Sequence, residues 1–286
     1  MIDDLVYDVG MHNGDDTAYY LQRGYRVVAI EAAPDLVEAG RLRFAREIAE
    51  NRLTICPVAI AETEGEISFW ICESHSVWNS TQHRLASRKN SKHREIAVPS
   101  CRLRKLLDAH GVPFFMKIDI EGSDFLCLED LDSADLPRYL SIEVSQVHGL
   151  AIPTRLRDLG YTSFKCISQF HYLPLQLPPS SEQINYERWH GQRYSRSFWL
   201  RVYRKLGAQR HLDRRLLSLK SAHGWVFPEG SSGSFGEETF GRWQTYDELC
   251  DTYRTFSDLA ARHQPSIFWR ESETAFWADL HARRDG

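Results

Sequence analysis

The sequence predicts a doubly wound α/β fold, in which strands and helices alternate through the first 170 residues. Three observations predict it: short apolar runs recur between helical patterns, glycines close several helices, and acidic residues stand where strands end. Such alternation places parallel strands in one sheet with helices on both faces. A ligand in a sheet of this kind binds beyond the carboxyl ends of the strands.

The first half of this region supplies its elements in a regular order. The predicted strands are Leu5–Val9, Arg26–Glu31, Leu53–Ile60 and Glu66–Cys72. The predicted helices are Asp15–Arg23, which Gly24 closes, and a segment from Asp35 to about Glu50. The polar residues 74–92 show no periodicity and predict a loop.

The second half continues the alternation and then changes character. Its predicted helices are Arg102–His110, Asp124–Leu131 and Ile152–Leu159, and its predicted strands are Phe114–Ile120, Arg138–Val144 and Tyr161–Ile167. We therefore assign residues 1–170 to a core domain and residues 171–286 to a mainly helical C-terminal extension. Prolines interrupt the start of the extension, and helices are expected at about Tyr246–Arg262 and Ser272–Arg283.

The composition is that of an ordinary globular protein. The chain has 286 residues, of which 42% are hydrophobic and 26% charged, with a net charge of −4. This balance excludes a uniformly basic protein that coats nucleic acid. No apolar stretch approaches the roughly 18 residues of a membrane span. The N-terminus does not resemble a signal peptide, and the six cysteines form no C-x-x-C pair, so we expect a cytoplasmic protein with free thiols.

One segment, residues 188–220, departs from this balance. It holds ten Lys and Arg residues and one acid, for a net charge of +9, which leaves −13 for the remainder. Interleaved aromatic residues favour contact with RNA, with an anionic or nucleotide-linked sugar, or with an anionic membrane. The alternative is an exposed helix face with Phe198, Val202 and Leu206 packed inward. We favour this alternative, and nucleic acid is therefore not the preferred partner.

The turn between the first strand and the first helix has the pattern of a nucleoside-binding site. Gly10 and Gly14 allow the backbone to approach a ligand closely. Glu31 ends the next strand, where a carboxylate can accept hydrogen bonds from ribose hydroxyls. Asp8 disfavours a pyrophosphate but tolerates the cationic sulfonium and ammonium of S-adenosylmethionine, which favours that cofactor over a nicotinamide dinucleotide. The alternative is that the glycines merely form a tight turn.

A second group of acidic residues follows the fourth predicted strand. Alternation along a strand would put Asp119 and Glu121 on one face, and Lys117 could pair with either of them. We interpret them as catalytic carboxylates, with a simple ion pair to Lys117 as the alternative. His12, inside the glycine turn, and Glu143, at the end of the fifth strand, are further candidates for a general base.

Other acidic residues are interpreted as structural. Asp15 and Asp16 open a helix, where carboxylates suit the helix dipole, and Ser123 or Asp124 is expected to cap the next helix. The acids near Asp124 lack the spacing of a calcium loop. We therefore predict no required metal.

Two loops are candidates for binding a substrate. Residues 75–82 surround one indole ring with neutral hydrogen-bonding groups, which suits a sugar as well as an ordinary exposed loop. The glycine-serine loop 230–236 could close over the substrate. The substrate-binding candidates are His75, Ser76, Trp78, Asn79, His148, Ser231 and Ser232.

Three segments carry a family resemblance. The sequences YDVGMHNGDDT at Tyr7–Thr17, VAIEAAP at Val28–Pro34 and MKIDIEGSD at Met116–Asp124 resemble the FkbM family of S-adenosylmethionine-dependent methyltransferases. The resemblance covers about residues 5–170. It implies a Rossmann-like class I methyltransferase sheet and O-methylation of hydroxyls on sugars or polyketides.

The resemblance also assigns residues to parts of the cofactor. Asp8, Gly10 and Gly14 would surround the methionine part, Glu31 would hold the ribose, and Ala59 would lie at the adenine. The complete set of expected cofactor contacts is Asp8, Gly10, His12, Asn13, Gly14, Thr17, Glu31, Ala32, Ala59 and Asp119.

These observations predict an S-adenosylmethionine-dependent O-methyltransferase acting on a carbohydrate or similar polyhydroxylated acceptor. An RNA methyltransferase that uses residues 188–220 is the main alternative. A nicotinamide oxidoreductase is disfavoured by Asp8 and by the missing third glycine. A binding module without catalysis is the remaining alternative. No motif identifies the acceptor, the base or the oligomeric state.

Overall fold

The computed structural model describes residues 1–144, 149–169, 171–228, 230–261 and 278–285. The chain divides into two compact units. The first comprises residues 1–143, 154–162 and 282–286, and the second comprises residues 144–153 and 163–281. The boundary at residue 170 that the sequence suggested stays a prediction.

The first unit contains the alternating elements. Its strands are β1 (Ile2–Val9), β2 (Arg26–Ile30), β3 (Leu53–Cys56), β4 (Ala59–Ile60), β5 (Gly65–Cys72), β6 (His93–Cys101), β7 (Pro113–Ile118) and β8 (Tyr139–Val144). Its helices are α1 (Asp15–Gln22), α2 (Pro34–Arg43), α3 (Ala45–Ala49), α4 (His83–Ala86), α5 (Leu103–His110), α6 (Asp124–Glu129) and α7 (Ala151–Leu159). The last residue of β8 and the first turn of α7 fall within the second unit.

Five parallel strands form the centre of the first unit, in the order β3-β2-β1-β7-β8. Tyr7 lies between Val28 and Met116 in the register of β1 with its two neighbours. The chain runs outward from β1 through β2 and β3 and then returns to start β7 on the other side of β1. This confirms the doubly wound α/β fold. The reversal of strand order between β1 and β7 creates the crevice in which such folds bind ligands.

Local sequence explains several of these elements. The continuous apolar runs of β1, β2 and β7 are buried, as expected for parallel strands covered on both faces. Helix α1 begins directly after Gly14, and Gly24 follows its end in the left-handed region at φ +89°. In α5, Leu103, Leu106 and Leu107 are buried at the spacing of one helix face.

In the first unit one strand prediction was wrong and one strand was not predicted. The single strand expected over Leu53–Ile60 is two strands in different sheets, because the chain leaves β3 before Pro57 and β4 pairs with β6. β6 was not predicted at all. It forms a three-stranded sheet in the order β4-β6-β5, antiparallel to β5 with Ile67 opposite Val98. Only Val98, Ser100 and Cys101 of its nine residues are buried, so it lacks the apolar run of a buried strand.

The described residues of the second unit form short strands and the helices α8 to α11. Its elements are β9 (Ser163–Ser168), β10 (Pro174–Leu175), α8 (Ser181–Tyr194), α9 (Phe198–Tyr203), α10 (Gln209–Ser218), β11 (Ser221–Ala222), β12 (Trp225–Val226), α11 (Tyr246–Ala261) and β13 (Ala278–Arg283). β9 lies between β10 and β13 in the sheet. β10 runs antiparallel to β9, and β11 runs antiparallel to β12.

The second unit also corrects the sequence predictions. The helix expected at Ser272–Arg283 is wrong over its described part, because Ala278–Arg283 is strand β13; its earlier residues lie outside the described chain. The helix at Tyr246 is confirmed as α11. Helix α8 was missed, although Ser180 and Gln183 form the reciprocal capping box that marks a helix start.

The apolar residues of the basic segment contradict the favoured interpretation. Phe198 and Leu206 are 67% and 82% exposed, so the expected inward packing of these residues is wrong. The described residues contain no helix with the length and apolarity needed to cross a bilayer. All six cysteines are buried free thiols, as expected.

Candidate active site

A buried ammonium group lies among carboxylates at the carboxyl ends of β1 and β7. Nζ of Lys117 donates to Oδ1 of Asp8 at 3.2 Å and to the carbonyl oxygen of Gly10 at 3.2 Å. The same nitrogen lies 3.3 Å from Oδ2 of Asp16 and 3.7 Å from Oδ2 of Asp119. One cation therefore faces three carboxylates, which leaves an excess of negative charge when all three are ionised.

Desolvation raises the pKa of two of these carboxyl groups, Asp8 and Asp119. Desolvation raises the pKa of Asp8, and the negative charge of Asp16 raises it further. The charge of Lys117 and a 2.6 Å hydrogen bond from Thr17 Oγ1 both act to lower it. Desolvation likewise raises the pKa of Asp119 to about 6, against the attraction of Lys117. A cation that arrived beside these groups would favour their ionised forms.

The two glycines of the turn are required by packing. Gly10 has φ +92°, and a Cβ there would lie 1.8 Å from the carbonyl oxygen of Asp119. Gly14 has φ +81°, and a Cβ there would lie 2.6 Å from the ring of Phe44. Both positions therefore exclude any residue with a side chain unless the surroundings shift. These contacts explain why glycine stands at both positions, and the role of the turn in binding a ligand stays a prediction.

His12 joins the turn to two other parts of the site. Its backbone N–H donates to Oε2 of Glu31 at 2.8 Å, and its Nε2 lies 2.8 Å from Oγ of Ser76. Burial and the charge of Lys117 lower the pKa of His12, which favours the neutral imidazole. Asn13 has a structural contact instead, because its Oδ1 accepts from the backbone N–H of Asp15 at the start of α1.

Glu31 is almost completely buried and already accepts two backbone hydrogen bonds. Its Oε1 accepts from the N–H of Ala33 at 2.8 Å, and its Oε2 accepts from His12. Desolvation raises its pKa to about 7 against the effect of these donors. The N–H of Ala32 also acts on this carboxylate, and a carboxylate with about four lone-pair sites still has capacity to accept from a hydroxyl. Glu31 is therefore equipped to bind a diol.

An apolar cluster stands close to Glu31 in the sequence and in the fold. Ala59 is one of its buried members, together with Ala33, Phe69, Ile71 and Val98. Ala32 packs against this cluster from a partly buried position. Ala59, which the resemblance placed at the adenine, and Ala32, a further expected cofactor contact, thus belong to one apolar surface.

Asp119 and Glu121 lie in the loop after β7, because that strand ends at Ile118. The alternation argument for a shared face therefore does not apply. Glu121 has φ +48°, and its Oε2 accepts from Nη2 of Arg88 at 2.7 Å. Burial raises the pKa of Glu121 to about 7, while Arg88 opposes that rise. Lys117 pairs with Asp119, whereas Glu121 takes a different cation.

Asp124 holds the loop that carries Glu121. Its two carboxylate oxygens accept from the backbone N–H groups of Ile120 and Gly122, each at 2.9 Å. No side chain caps α6, and Oγ of Ser123 lies 2.6 Å from Oγ1 of Thr81. The expected capping role was wrong, because the Asp124 side chain turns back to the preceding loop.

The predicted substrate loop is tied to this same region. Ser80 Oγ donates to the carbonyl oxygen of Glu121 at 2.7 Å, and Gln82 Nε2 donates to that of Gly122 at 2.6 Å. The His75 and Trp78 rings stack with centroids 4.3 Å apart. Asn79 Oδ1 accepts from the backbone of Cys72, which gives that side chain a structural contact.

The remaining candidates are more dispersed. Glu143 is partly buried and follows Ile142, which is paired with Ile118, so it takes the position on β8 that corresponds to Asp119. His148 lies outside the described residues. Ser231 and Ser232 are buried in the second unit, and their role in binding stays a prediction.

Two charged residues of the site were not foreseen. Asp16 was interpreted as a helix-start residue, yet its carboxylate reaches Lys117. Arg88 lies in a loop without periodicity and pairs with a residue 33 positions away, so no local signal identifies it. Among the described residues, no group of three or more potential ligands is arranged to hold a metal ion; that no metal is required stays a prediction.

The glycine turn, Glu31 and the loop after β7 all fall within one family match. The model of the methyltransferase FkbM domain matches residues 8–163, which is more than half of the chain. The chain belongs to the FkbM methyltransferase family. No curated protein matches it. This family membership confirms the resemblance and implies methyl transfer from S-adenosylmethionine.

Three solved structures are similar to part of this chain. A precorrin-6y C5,15-methyltransferase from Geobacter metallireducens is 16% identical over 58% of this chain and 67% of its own, with a TM-score of 0.34. A precorrin 8w decarboxylase from Methanobacterium thermoautotrophicum is 14% identical, with 58% and 69% covered and a TM-score of 0.34. An rRNA methylase from Streptococcus thermophilus is 14% identical, with 58% and 77% covered and a TM-score of 0.34.

The residues of this site fit S-adenosylmethionine. The carboxylates around Lys117 favour a cationic ligand, and Glu31 has lone pairs for the two ribose hydroxyls. The cluster that contains Ala59 offers an apolar surface to a purine. The site thus offers negative charge for the cationic part, hydrogen-bond acceptors for the ribose and an apolar surface for the purine.

Proposed function

We propose that this FkbM-family protein is an S-adenosylmethionine-dependent O-methyltransferase that acts on a hydroxyl of a carbohydrate or similar polyhydroxylated molecule. The observation that carries the proposal is the group of three carboxylates around Lys117, of which Asp8 and Asp16 are buried and Asp119 is partly exposed. A site with this excess of negative charge favours a cationic ligand over a dinucleotide pyrophosphate.

The donor side of the reaction is assigned to residues of the first unit. When bound, S-adenosylmethionine supplies an electrophilic methyl group on a cationic sulfur. Asp8 and Asp119 favour positive charge, Glu31 accepts from the ribose, and Ala32 and Ala59 contact the adenine. Holding donor and acceptor in line accounts for much of the rate acceleration that a methyl transfer needs.

The acceptor side is assigned to the loop around Trp78. The stacked rings of His75 and Trp78 provide an aromatic surface, and the exposed hydroxyl of Ser76 provides a neutral hydrogen-bonding group. Sugars combine apolar ring faces with hydroxyl groups, so this combination favours a carbohydrate. Contact between Ser76 and His12 links the loop to the glycine turn.

Glu121 is proposed as the general base that takes the proton from the acceptor hydroxyl. Its raised pKa of about 7 lies close to a neutral working pH, where a base is most effective. Arg88 keeps a fraction of the carboxyl ionised and fixes its position. His12 is the second candidate, because its lowered pKa leaves it neutral and able to accept a proton.

Calorimetric titration with S-adenosylmethionine, S-adenosylhomocysteine and NAD tests the cofactor assignment. We expect micromolar binding of the first two and none of NAD, with binding lost in Glu31→Ala. The exposed Glu66→Ala on β5 is the matched control and should bind as the wild type does. Binding of NAD, or of neither sulfur compound, would contradict the assignment.

The pH dependence of kcat/KM tests the base. The assay measures S-adenosylhomocysteine release with a panel of simple glycosides and nucleotide-linked sugars. We expect activity to rise with pH through about 7, and Arg88→Gln should move this midpoint upward. Glu121→Gln should lose about 10²–10⁴-fold in rate. A midpoint below that of free histidine, unmoved by Arg88→Gln, would assign the proton transfer to His12 instead.

RNA remains the alternative acceptor. Only the basic segment 188–220 favours it. Salt-sensitive methylation of RNA, with no transfer to any glycoside of the panel, would replace the carbohydrate assignment.

A further inference from the structure

The second unit exposes a group of large apolar side chains between α8 and α10. Five residues form this aromatic tip: Tyr194, Phe198, Trp199, Tyr203 and Leu206. Each of them is about half exposed or more, and Trp199 reaches 76%. Isolated exposed apolar residues are common, but five within 13 consecutive positions indicate an interaction site.

The aromatic tip rests on an ordered support. Helices α8 and α10 pack against each other and are joined by an ion pair between Arg193 and Asp213. Arg204 donates to the carbonyl oxygens of Gln192 and Ser195, each at 2.8 Å. These contacts hold the turn between α8 and α9, so the exposure of the tip belongs to a defined conformation.

Cations surround the aromatic tip without acidic partners. Arg196, Arg201 and Lys205 are exposed, and no carboxylate in the described part of the chain pairs with them. Residues 193–210 contain no Asp or Glu at all. Because the rest of the chain is acidic, this positive charge is concentrated at one place.

We propose that the aromatic tip binds an anionic lipid surface. Phe198, Trp199 and Leu206 would enter the boundary between headgroups and acyl chains, while Arg196, Arg201 and Lys205 contact lipid phosphates. A surface that combines Trp, Phe and Leu with Lys and Arg is typical of segments that lie in the membrane interface. Basic residues beside such a segment add attraction to anionic lipids.

The apolar residues distinguish lipid from RNA as the partner. Single-stranded RNA is bound by stacking of bases on flat rings. Leu206 has no ring, yet it is the most exposed large apolar side chain among the residues that the structure describes. Acyl chains accept leucine and aromatic side chains alike. The tip is therefore better matched to lipid, and this inference does not depend on the reaction that the first unit catalyses.

Sedimentation with lipid vesicles tests the proposal on the full-length protein. We expect binding to vesicles of phosphatidylcholine with phosphatidylglycerol and much weaker binding to phosphatidylcholine alone. Replacing Arg196 and Arg201 by Gln should weaken binding by about thirtyfold, because each basic residue contributes about 1 kcal/mol at an anionic surface. Replacing Phe198 and Leu206 by Ser should abolish sedimentation with the vesicles. The exposed Leu42→Ser on α2 is the matched control.

Fluorescence provides a direct reading of insertion. We expect anionic vesicles to shift the tryptophan emission to shorter wavelength and brominated lipids to quench it, with both effects lost in Trp199→Phe. Absence of vesicle binding would overturn the proposal. Binding of single-stranded RNA that excludes vesicles would overturn it as well, as would self-association that the Phe198 and Leu206 substitutions abolish.

Discussion

Lys117 on β7 and Asp8 on β1 form a buried ion pair, with Nζ 3.2 Å from Oδ1. The two residues are opposite each other in the parallel register of the strands. Asp16 and Asp119 lie within 4 Å of the same ammonium. Lys117 therefore decides how much negative charge the site can hold, and its removal is the most direct test of this electrostatic arrangement.

Lys117→Met should destabilise the protein strongly. Loss of the ammonium leaves buried carboxylates without their cation, which costs about 3–5 kcal/mol of unfolding free energy. The loss should be smaller at low pH, because protonated carboxyls no longer need a counter-charge. Urea denaturation at several pH values measures this. Lys105→Met removes an exposed ion pair with Glu64 and should leave stability almost unchanged; an equal effect of both substitutions would refute the argument.

Gly10→Ala should be far more disruptive than Gly24→Ala. Both residues have positive φ near +90°, but a Cβ on Gly10 meets the Asp119 carbonyl whereas one on Gly24 meets nothing within 4 Å. The control variant Gly24→Ala should lose about 1 kcal/mol of unfolding free energy from backbone strain alone. Gly10→Ala should lose about 1–3 kcal/mol more from overpacking, together with binding of S-adenosylmethionine. Thermal unfolding measures the loss of stability and calorimetry measures the loss of binding. Equal losses of stability in Gly10→Ala and Gly24→Ala would show that the contact with the Asp119 carbonyl does not destabilise the protein.

Glu121→Gln should change the pH dependence of stability. The pKa of Glu121 is about 7 in the folded protein and 4.5 as its ordinary value. A raised carboxyl pKa means that this group weakens folding increasingly as pH rises from about 4.5 to 7. The unfolding free energy of the variant, relative to that of the wild type, should therefore rise by roughly 2 kcal/mol between pH 5 and pH 8.

Denaturation by urea at the two pH values checks this prediction. Glu66→Gln on the exposed side of β5 serves as the matched control. An unchanged difference between Glu121→Gln and wild type at both pH values would contradict it.

Asp124→Asn should loosen the loop that carries Glu121. The amide can accept from only one of the two backbone N–H groups that the carboxylate now satisfies. An unsatisfied buried donor costs about 1–3 kcal/mol, and kcat should fall because Glu121 is less well positioned. Asp132→Asn, an exposed residue with one backbone hydrogen bond, should change stability less. Equal stability effects, with kcat retained in both variants, would assign Asp124 no role in the site.

Local sequence was sufficient to predict the strands whose apolar runs are buried. β1, β2 and β7 follow from their apolar residues, and the carboxylates Asp8 and Glu31 mark where the first two end. β6 was missed for the opposite reason, since only three of its nine residues are buried and pairing with β5 holds it in place. Pairing with a separate segment leaves no local signal in the sequence of β6 itself.

The partners of the charged residues could not be predicted in the same way. Lys117 was expected to pair with Asp119 or Glu121, both within four positions, yet its nearest carboxylate is 109 positions away. Glu121 pairs with Arg88 because Ser80 and Gln82 bind its loop. These contacts depend on strand register and loop placement.

The sequence alone determined the alternating fold, the family and the positions of Asp8 and Glu31 at strand ends, because periodicity, glycine turns and motifs are local properties of the chain. The tertiary structure decided which cation faces which carboxylate, that Ala278–Arg283 is a strand, and that Phe198 and Leu206 stay exposed. Helical spacing predicted an inward apolar face around Phe198. Burial, however, requires another element to cover that face, and only the arrangement of the whole chain determines whether one does.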